Sequence, residues 1–193
     1  VVIVGIGPEL TFEVIKAAEL LREIAPTLRV RVVNVTDLMV LGTEDIHPHS
    51  LSDSDFDGLF TEDKPIHFNY HGYASELKGL LFERPQVSRI SIESYREEGT
   101  TTTPFDMMLQ NKVSRYDVAE HALRGAAKTN DKVKVELQNT VSELQHRSQK
   151  LKEYVVEYGK DPDDTYNLPQ FKGITEASGA KKSSGGGQVM YEG

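Results

Sequence analysis

Short apolar runs alternate with helical patterns along the chain, and this alternation limits the fold more than any other feature. Four segments are predicted as strands because they are rich in β-branched or alternating apolar residues; they cover residues 1–5, 28–35, 66–71 and 89–94. Helical segments separate them. Strands that alternate with helices favour a mostly parallel sheet with helices on its faces. The sequence therefore predicts an α/β fold.

Helical patterns fill most of the chain between and after these strands. They are predicted over residues 9–24, 52–60, 75–82, 104–127 and 134–158. We expect one α/β domain over residues 1–130, a C-terminal helix over residues 131–158 that packs on this domain, and an extended or flexible tail over residues 159–193.

The C-terminal helix carries an apolar stripe that allows two interpretations. Its members recur at heptad spacing, interrupted by Ser148; they are Leu137, Val141, Leu144, Leu151, Val155 and Tyr158. The stripe could form a dimeric coiled coil, or it could be a seam that packs on the chain's own domain. A heptad pattern that is this short and is interrupted by a polar residue is marginal as an isolated coiled coil. The seam that packs on the chain's own domain is therefore the favoured interpretation.

Charge and composition argue against several classes of protein. The chain has 193 residues and a net charge of −8, and this acidic balance argues against a nucleic-acid surface. The absence of cysteine removes disulfides and cysteine metal sites and fits a reducing, cytoplasmic location. No apolar run reaches membrane-spanning length. Because the chain begins inside an apparent strand, we expect it to be a piece of a longer protein.

Two short motifs point only weakly to ligands. Gly5 and Gly7 lie between a strand and a helix, where a dinucleotide fingerprint begins, but the third glycine is missing and Glu9 would compete with a phosphate. A tight turn is the favoured interpretation. His47 and His49 flank a proline and could form a metal pair, although a loop with two solvated histidines is favoured.

Residues 97–107 form the most specific segment of the chain. Thr103 is predicted to cap a helix that starts at Pro104, and the Asp106 carboxylate suits the third helical position, near the exposed N–H groups. Three further threonine hydroxyls, at positions 100–102, are not needed for capping. The surplus hydroxyls distinguish this segment from an ordinary loop.

Polar residues follow the third and fourth predicted strands, at the edge where open α/β sheets bind ligands. We expect this edge to bring together His71, Tyr73, Glu97, Glu98, Thr100, Thr101, Thr102 and Thr103. A histidine near carboxylates is a plausible acid/base pair. It is also an ordinary contact that holds two loops together, and the residues alone favour this second interpretation.

Several segments of this sequence, in this order, resemble the C-terminal domain of the xylulose-5-phosphate/fructose-6-phosphate phosphoketolases. The resemblance covers roughly residues 1–158 and is strongest at residues 33–39, 47–53, 71–73, 97–107 and 111–116. Many phosphoketolases have Gly where Ser94 stands and Pro where Ala74 stands. These departures indicate a divergent branch.

The resemblance implies a fold and an activity. The fold would be a three-layer α/β/α sandwich on a mostly parallel, mixed sheet, like the transketolase C-terminal domain. The full-length enzyme would cleave xylulose 5-phosphate, and optionally fructose 6-phosphate, with inorganic phosphate to give acetyl phosphate and an aldose phosphate. Thiamine diphosphate and Mg²⁺ would be held by upstream domains at a homodimer interface. This chain would bind no cofactor, would carry no catalytic residue and would be inactive alone.

Two other functions stay open from the sequence. The first is a regulatory domain that binds a small metabolite or phosphate at the edge formed by His71, Tyr73, Glu98 and the four threonines. The second is a dimerisation module that uses the helix over residues 137–158.

Overall fold

Four parallel strands form the sheet at the centre of the molecule. The computed structural model describes residues 1–96 and 101–171. Within these residues the strands pair in the order β2-β1-β3-β4, and all three pairings are parallel. Their bounds are Val2–Ile6 for β1, Arg31–Asn34 for β2, Ile66–His71 for β3 and Ile90–Tyr95 for β4. The α/β prediction is confirmed.

Six α-helices accompany the strands within the described residues. They are α1 (Pro8–Ile24), α2 (Asp53–Phe60), α3 (Ala74–Leu81), α4 (Pro104–Gln110), α5 (Arg115–Ala126) and α6 (Asp131–Tyr158), with short 3-10 turns at Leu38–Leu41 and Val87–Arg89. In the part of the chain that the structure describes, none of the helices has the length and apolar character that a bilayer crossing requires.

Helices cover both faces of the sheet, which gives the predicted three-layer sandwich. On one face Ile3 of β1 packs with Leu21 of α1 and Leu123 of α5. On the other face Val4 packs with Phe56 of α2 and with further apolar residues of α3. Because both faces are covered, every residue of β1 is buried, as the continuous apolar run of a parallel strand predicts.

The prediction of a single helix over residues 104–127 is wrong, because the chain breaks into α4 and α5. Lys112 adopts a left-handed backbone conformation with φ of 59°, which ends the first helix. Ser114 then starts the second: its backbone N–H donates to the Asp117 carboxylate at 3.2 Å. Burial raises the pKa of Asp117. A Ser with an acidic residue three positions later is a local helix-start signal that the periodic pattern concealed.

The apolar stripe of α6 faces the chain's own domain. Val141, Leu144 and Val155 are buried, and Leu137 packs against the core between α1 and α5. Tyr158 at the end of the stripe is exposed. The stripe is thus occupied by intramolecular packing along most of its length.

Residues 160–171 run back along the helices after α6 ends. The Asp161 carboxylate accepts hydrogen bonds from the Phe105 backbone N–H at 3.1 Å and from the Tyr166 hydroxyl at 2.9 Å. Phe171 packs against the core, with the Arg22 guanidinium 5.1 Å from its ring centroid. This segment therefore supplies an acceptor for an N–H group in the first turn of α4, which has no partner inside the helix.

Arg84 organises the irregular segment between the second strand and α2. Its guanidinium donates to the backbone carbonyls of Leu41, Gly42 and Leu51 and to the Asp53 carboxylate at the start of α2. The guanidinium carries five N–H donors, so one side chain can satisfy several buried carbonyls of a loop that has no regular structure.

A buried ion pair that was not predicted from the sequence joins α1 to α5. The Glu13 carboxylate accepts from the Arg115 guanidinium at 2.6 and 3.0 Å and from the Arg115 backbone N–H at 2.7 Å. The Glu13 side chain is 0% exposed and that of Arg115 is 10% exposed. Glu13 lies among the buried apolar residues of α1. A carboxylate on the apolar face of a helix indicates a buried charge that needs a partner.

Replacing Glu13 with alanine should lower the free energy of unfolding by about 3–5 kcal/mol, because the Arg115 charge would stay buried without its partner. Urea unfolding followed by circular dichroism measures this loss. Glu120→Ala is the matched control, since Glu120 pairs with Arg124 at the surface. It should cost less than about 1 kcal/mol. Equal losses in the two variants would contradict the buried ion pair.

Candidate functional site

The carboxyl edge of the sheet contains the point where the strand order reverses. The chain goes from β1 to β2 on one side and then returns to β3 on the other side of β1. In open α/β sheets ligands bind at such a point, outside the carboxyl ends of the strands. Here it lies between the turn after β1 at Gly7 and the end of β3 at His71.

His71 occupies this position and contacts two other elements. Its Nδ1 atom lies 3.5 Å from the Glu9 carboxylate in the first turn of α1, and its ring meets the Tyr95 ring edge-on at 4.9 Å. The His71 side chain is 35% exposed. The Glu9 contact was not predicted from the sequence, which pointed to Glu97 and Glu98 as carboxylates near His71. Because β1 and β3 are neighbours in the sheet, the residues that follow β1 lie next to the end of β3, and Glu9 is one of them.

The glycines after β1 are explained by close packing. A Cβ atom on Gly7 would lie 2.8 Å from the His71 Cβ, and Gly7 has φ of 100°. A Cβ atom on Gly5 would lie 2.5 Å from the Thr11 Cα. Both positions therefore need glycine for backbone approach. With Glu9 at the start of α1, this turn gains no support as a phosphate-binding loop.

The threonines take part in starting α4. The Thr103 hydroxyl accepts from the Asp106 backbone N–H at 3.3 Å, as predicted for an N-cap. The Thr102 hydroxyl donates to the Asp106 carboxylate at 2.8 Å, so one of the three further hydroxyls holds the side chain at the third position of α4. Thr101 is exposed.

The rest of the predicted edge set is brought together only in part. Tyr73 precedes α3 and is 63% exposed. Glu97, Glu98 and Thr100 lie outside the described residues. The assignment of these residues to a ligand or interface edge therefore stays a prediction.

An uncharged cleft of about 470 Å³ opens beside the His71 position. Its walls come from the carboxyl ends of β1 and β3 and from the segment after β2; they include Ile6, Gly7, Thr11, Asn34, Thr36 and Tyr70. The Thr11 hydroxyl donates a hydrogen bond to the Asn34 side-chain oxygen at 3.0 Å. The volume lies in the range of about 300–1,000 Å³ that small-molecule sites occupy, and the lining favours an uncharged group.

The two histidines of the 42–52 loop form local contacts. The His47 ring accepts from the His49 backbone N–H at 3.1 Å, and the His49 ring lies 3.1 Å from the Asp37 carboxylate. The His49 side chain is 68% exposed. Across residues 1–96 and 101–171, no group of three or more His, Cys, Asp or Glu side chains is placed to hold a metal ion.

A stacked pair of histidine rings joins β3 to α5 and was not predicted from the sequence. The His67 ring of β3 is parallel to the His121 ring at 4.4 Å, and the His67 Nδ1 atom lies 2.9 Å from the Ser91 hydroxyl. His121 reaches the Glu93 carboxylate at 3.4 Å. Burial, and to a lesser degree the nearby His121, holds the pKa of His67 well below its ordinary value.

The buried His67 should make stability depend on pH. Its pKa is about 6.5 in the unfolded chain and well below that in the native protein. At pH values between these two pKa values, the unfolded chain binds the proton and the native protein does not. The free energy of unfolding should therefore fall as the pH drops below 6.5. His67→Phe keeps a ring beside His121 and should flatten this slope in urea unfolding measured between about pH 5 and pH 8.

The control for this pH dependence is His146→Phe, because His146 is exposed on α6. That variant should keep the wild-type slope. If both variants keep the wild-type slope, His67 does not titrate as its burial implies.

Comparisons with known proteins agree with the resemblance seen in the sequence. Residues 1–170 match the XFP C-terminal domain family. A probable phosphoketolase of Schizosaccharomyces pombe is 50% identical over 175 residues, which is 91% of this chain and 21% of that protein. A probable phosphoketolase of Pseudomonas putida is 43% identical over 165 residues, which is 83% of this chain and 20% of that protein.

The relatives are several times longer than this chain. Probable phosphoketolase 2 of a Nostoc species is 38% identical over 167 residues, which is 85% of this chain and again 20% of that protein. The chain thus spans about a fifth of the length of the curated relatives it matches. On the match over residues 1–170 and these identities, the chain belongs to the XFP C-terminal domain family, and the resemblance to phosphoketolases is confirmed.

Proposed function

We propose that this chain is the C-terminal domain of a phosphoketolase. The full-length enzyme cleaves xylulose 5-phosphate, and optionally fructose 6-phosphate, with inorganic phosphate to acetyl phosphate and an aldose phosphate. The observation that supports this proposal is the family match over residues 1–170 together with relatives that are named phosphoketolase. In this proposal the protein works in the cytoplasm as a homodimer.

Thiamine diphosphate and Mg²⁺ belong, in this proposal, to domains upstream of Val1. When bound in those domains, thiamine diphosphate would stabilise negative charge on carbon, which is the chemistry that cleavage of a carbon–carbon bond requires. The carboxyl edge of the sheet does not fit it, because the start of α1 there presents the Glu9 carboxylate, which would repel a diphosphate. The share of the relatives' length that this chain leaves unmatched is large enough for such domains.

The role of this chain in the enzyme is then structural. Its core residues lie on both faces of the sheet, and its charged pairs join helices to one another. The stripe of α6 supports this role in preference to a coiled coil, because Val141, Leu144 and Val155 pack inside the domain.

The isolated 193-residue chain should form no acetyl phosphate from xylulose 5-phosphate and inorganic phosphate, even with thiamine diphosphate and Mg²⁺ supplied. The full-length protein should form it under the same conditions. A hydroxamate assay for acetyl phosphate measures both. Product from the isolated chain would overturn its structural role, and no product from the full-length protein would overturn the phosphoketolase assignment.

A second candidate function is regulation by a small metabolite at the carboxyl edge. The observation that favours it is the uncharged cleft of about 470 Å³ next to Gly7 and Tyr70. Calorimetric titration with a panel of small uncharged metabolites should give saturable heat that Thr11→Val weakens, because Thr11 lines the cleft. Thr140→Val on α6 is the control. An absence of heat across the panel would leave the structural role alone.

A further inference from the structure

A small cleft lies at the amino edge of the sheet, at the opposite end from His71. It has a volume of about 120 Å³ and lies between the starts of β3 and β4 and the end of α5. Its polar and charged lining residues are His67, Ser88, Arg89, Ser91, His121, Arg124 and Lys128, and none of its lining residues is acidic. The cleft is therefore surrounded by hydrogen-bond donors and cations.

Two buried nitrogen atoms of this lining have no hydrogen-bond partner. They are the Nε2 atom of His67 and the Nε atom of Arg89. His67 is 1% exposed, and the Arg89 side chain is 8% exposed. Buried polar atoms in folded proteins nearly always have a partner, so two of them around one cleft point to an ordered water or a bound ion there.

The contacts of the Arg89 side chain engage its two Nη atoms and leave its Nε–H without an acceptor. Its Nη1 atom donates to the backbone carbonyls of Phe60 at 3.1 Å and Lys64 at 3.0 Å, and its Nη2 atom lies 3.4 Å from the Asp57 carboxylate. These contacts use the far end of the guanidinium. The Nε–H is a donor that no described residue accepts.

His67 can also present a donor without becoming charged. The Ser91 hydroxyl lies 2.9 Å from the His67 Nδ1 and 3.2 Å from the Ile66 carbonyl. When this hydroxyl donates to Nδ1, the proton of the neutral imidazole is on Nε2, which then becomes a donor. The hydroxyl rotates freely enough to choose either partner, so a bound acceptor would select this tautomer.

The mouth of the cleft carries two cations. The Arg124 guanidinium is held by Glu120 at 2.7 Å, and Lys128 forms no ion pair with any described residue. The Glu120 carboxylate offsets the Arg124 charge, so Lys128 is the cation of the mouth that opposes the partial negative charge of the carbonyls at the end of α5. With the donors of Arg89 and His67, this charge favours an anion in the cleft over a cation or an apolar group.

We propose that this cleft binds a small oxyanion of the size of inorganic phosphate. Arg89 and His67 donate to it from inside, Lys128 neutralises it at the mouth, and the Arg124 guanidinium offers further donors there. The volume is well below the range of about 300–1,000 Å³ that larger organic ligands need. The site does not depend on phosphoketolase activity, since all of its residues lie in this chain.

The test is an NMR titration of the ¹⁵N-labelled 193-residue chain with inorganic phosphate at constant ionic strength. The Arg89 Nε–H and the His67 ring signals should shift and saturate. The double variant Arg124→Gln/Lys128→Gln should bind phosphate about tenfold more weakly, because it loses both cations of the mouth. His67→Phe, which lacks Nε2, should also weaken binding while thermal unfolding shows that the fold is kept.

The matched control is Lys132→Gln/Lys134→Gln, which removes the same charge from exposed positions of α6. This variant should bind phosphate like the wild type. Sulfate should compete with phosphate. The site is overturned if the Arg89 and His67 signals do not saturate, if chloride alone produces the same shifts, or if both double variants weaken binding equally.

Discussion

The buried ion pair between Glu13 and Arg115 is the interaction on which the arrangement of the helices depends. It fixes α1, which follows β1, to the first residue of α5, which lies 102 positions away in sequence. The Arg115 guanidinium also lies 4.8 Å from the ring centroid of Phe105 in α4. Replacement of a whole buried pair by apolar residues is often neutral, whereas loss of one partner is costly. We therefore infer that the main effect of the pair is to select one arrangement of α1, α4 and α5, and that its net gain in stability is secondary.

The two faces of the sheet differ in chemistry, and this difference locates the polar sites. The face under α2 and α3 is apolar. The face under α5 carries His67 and Asn69 on β3, opposite Ser91 and Glu93 on β4. Asn69 is fully buried and donates to the Val113 carbonyl at 2.9 Å in the loop between α4 and α5. Burying the Asn69 N–H₂ group without an acceptor would be costly, so the break between the two helices has a function in the fold: it places the Val113 carbonyl over the sheet.

Much of the fold could be predicted from sequence because it follows from local patterns. Consecutive residues determine the strands of residues 1–5 and 66–71 and the capping by Thr103. The contacts that were missed join distant parts of the chain. Glu9 meets His71 only because β1 and β3 are neighbours, and Asp161 reaches the start of α4 across 56 positions. Strand order and the return of the C-terminal segment set these pairs, and neither is a property of a local window.

Charge at the two ends of the sheet runs against the usual arrangement of an open α/β fold. Anionic ligands normally meet the helix start at the carboxyl edge, where N–H groups point outward. In this chain that position holds the Glu9 carboxylate, and His71 packs so closely against Gly7 that a Cβ atom would not fit. The cations with available donors lie at the amino edge instead, at Arg89 and Lys128. A carboxylate at one edge and unpaired donors at the other leave the amino edge as the end of this sheet that favours an anion.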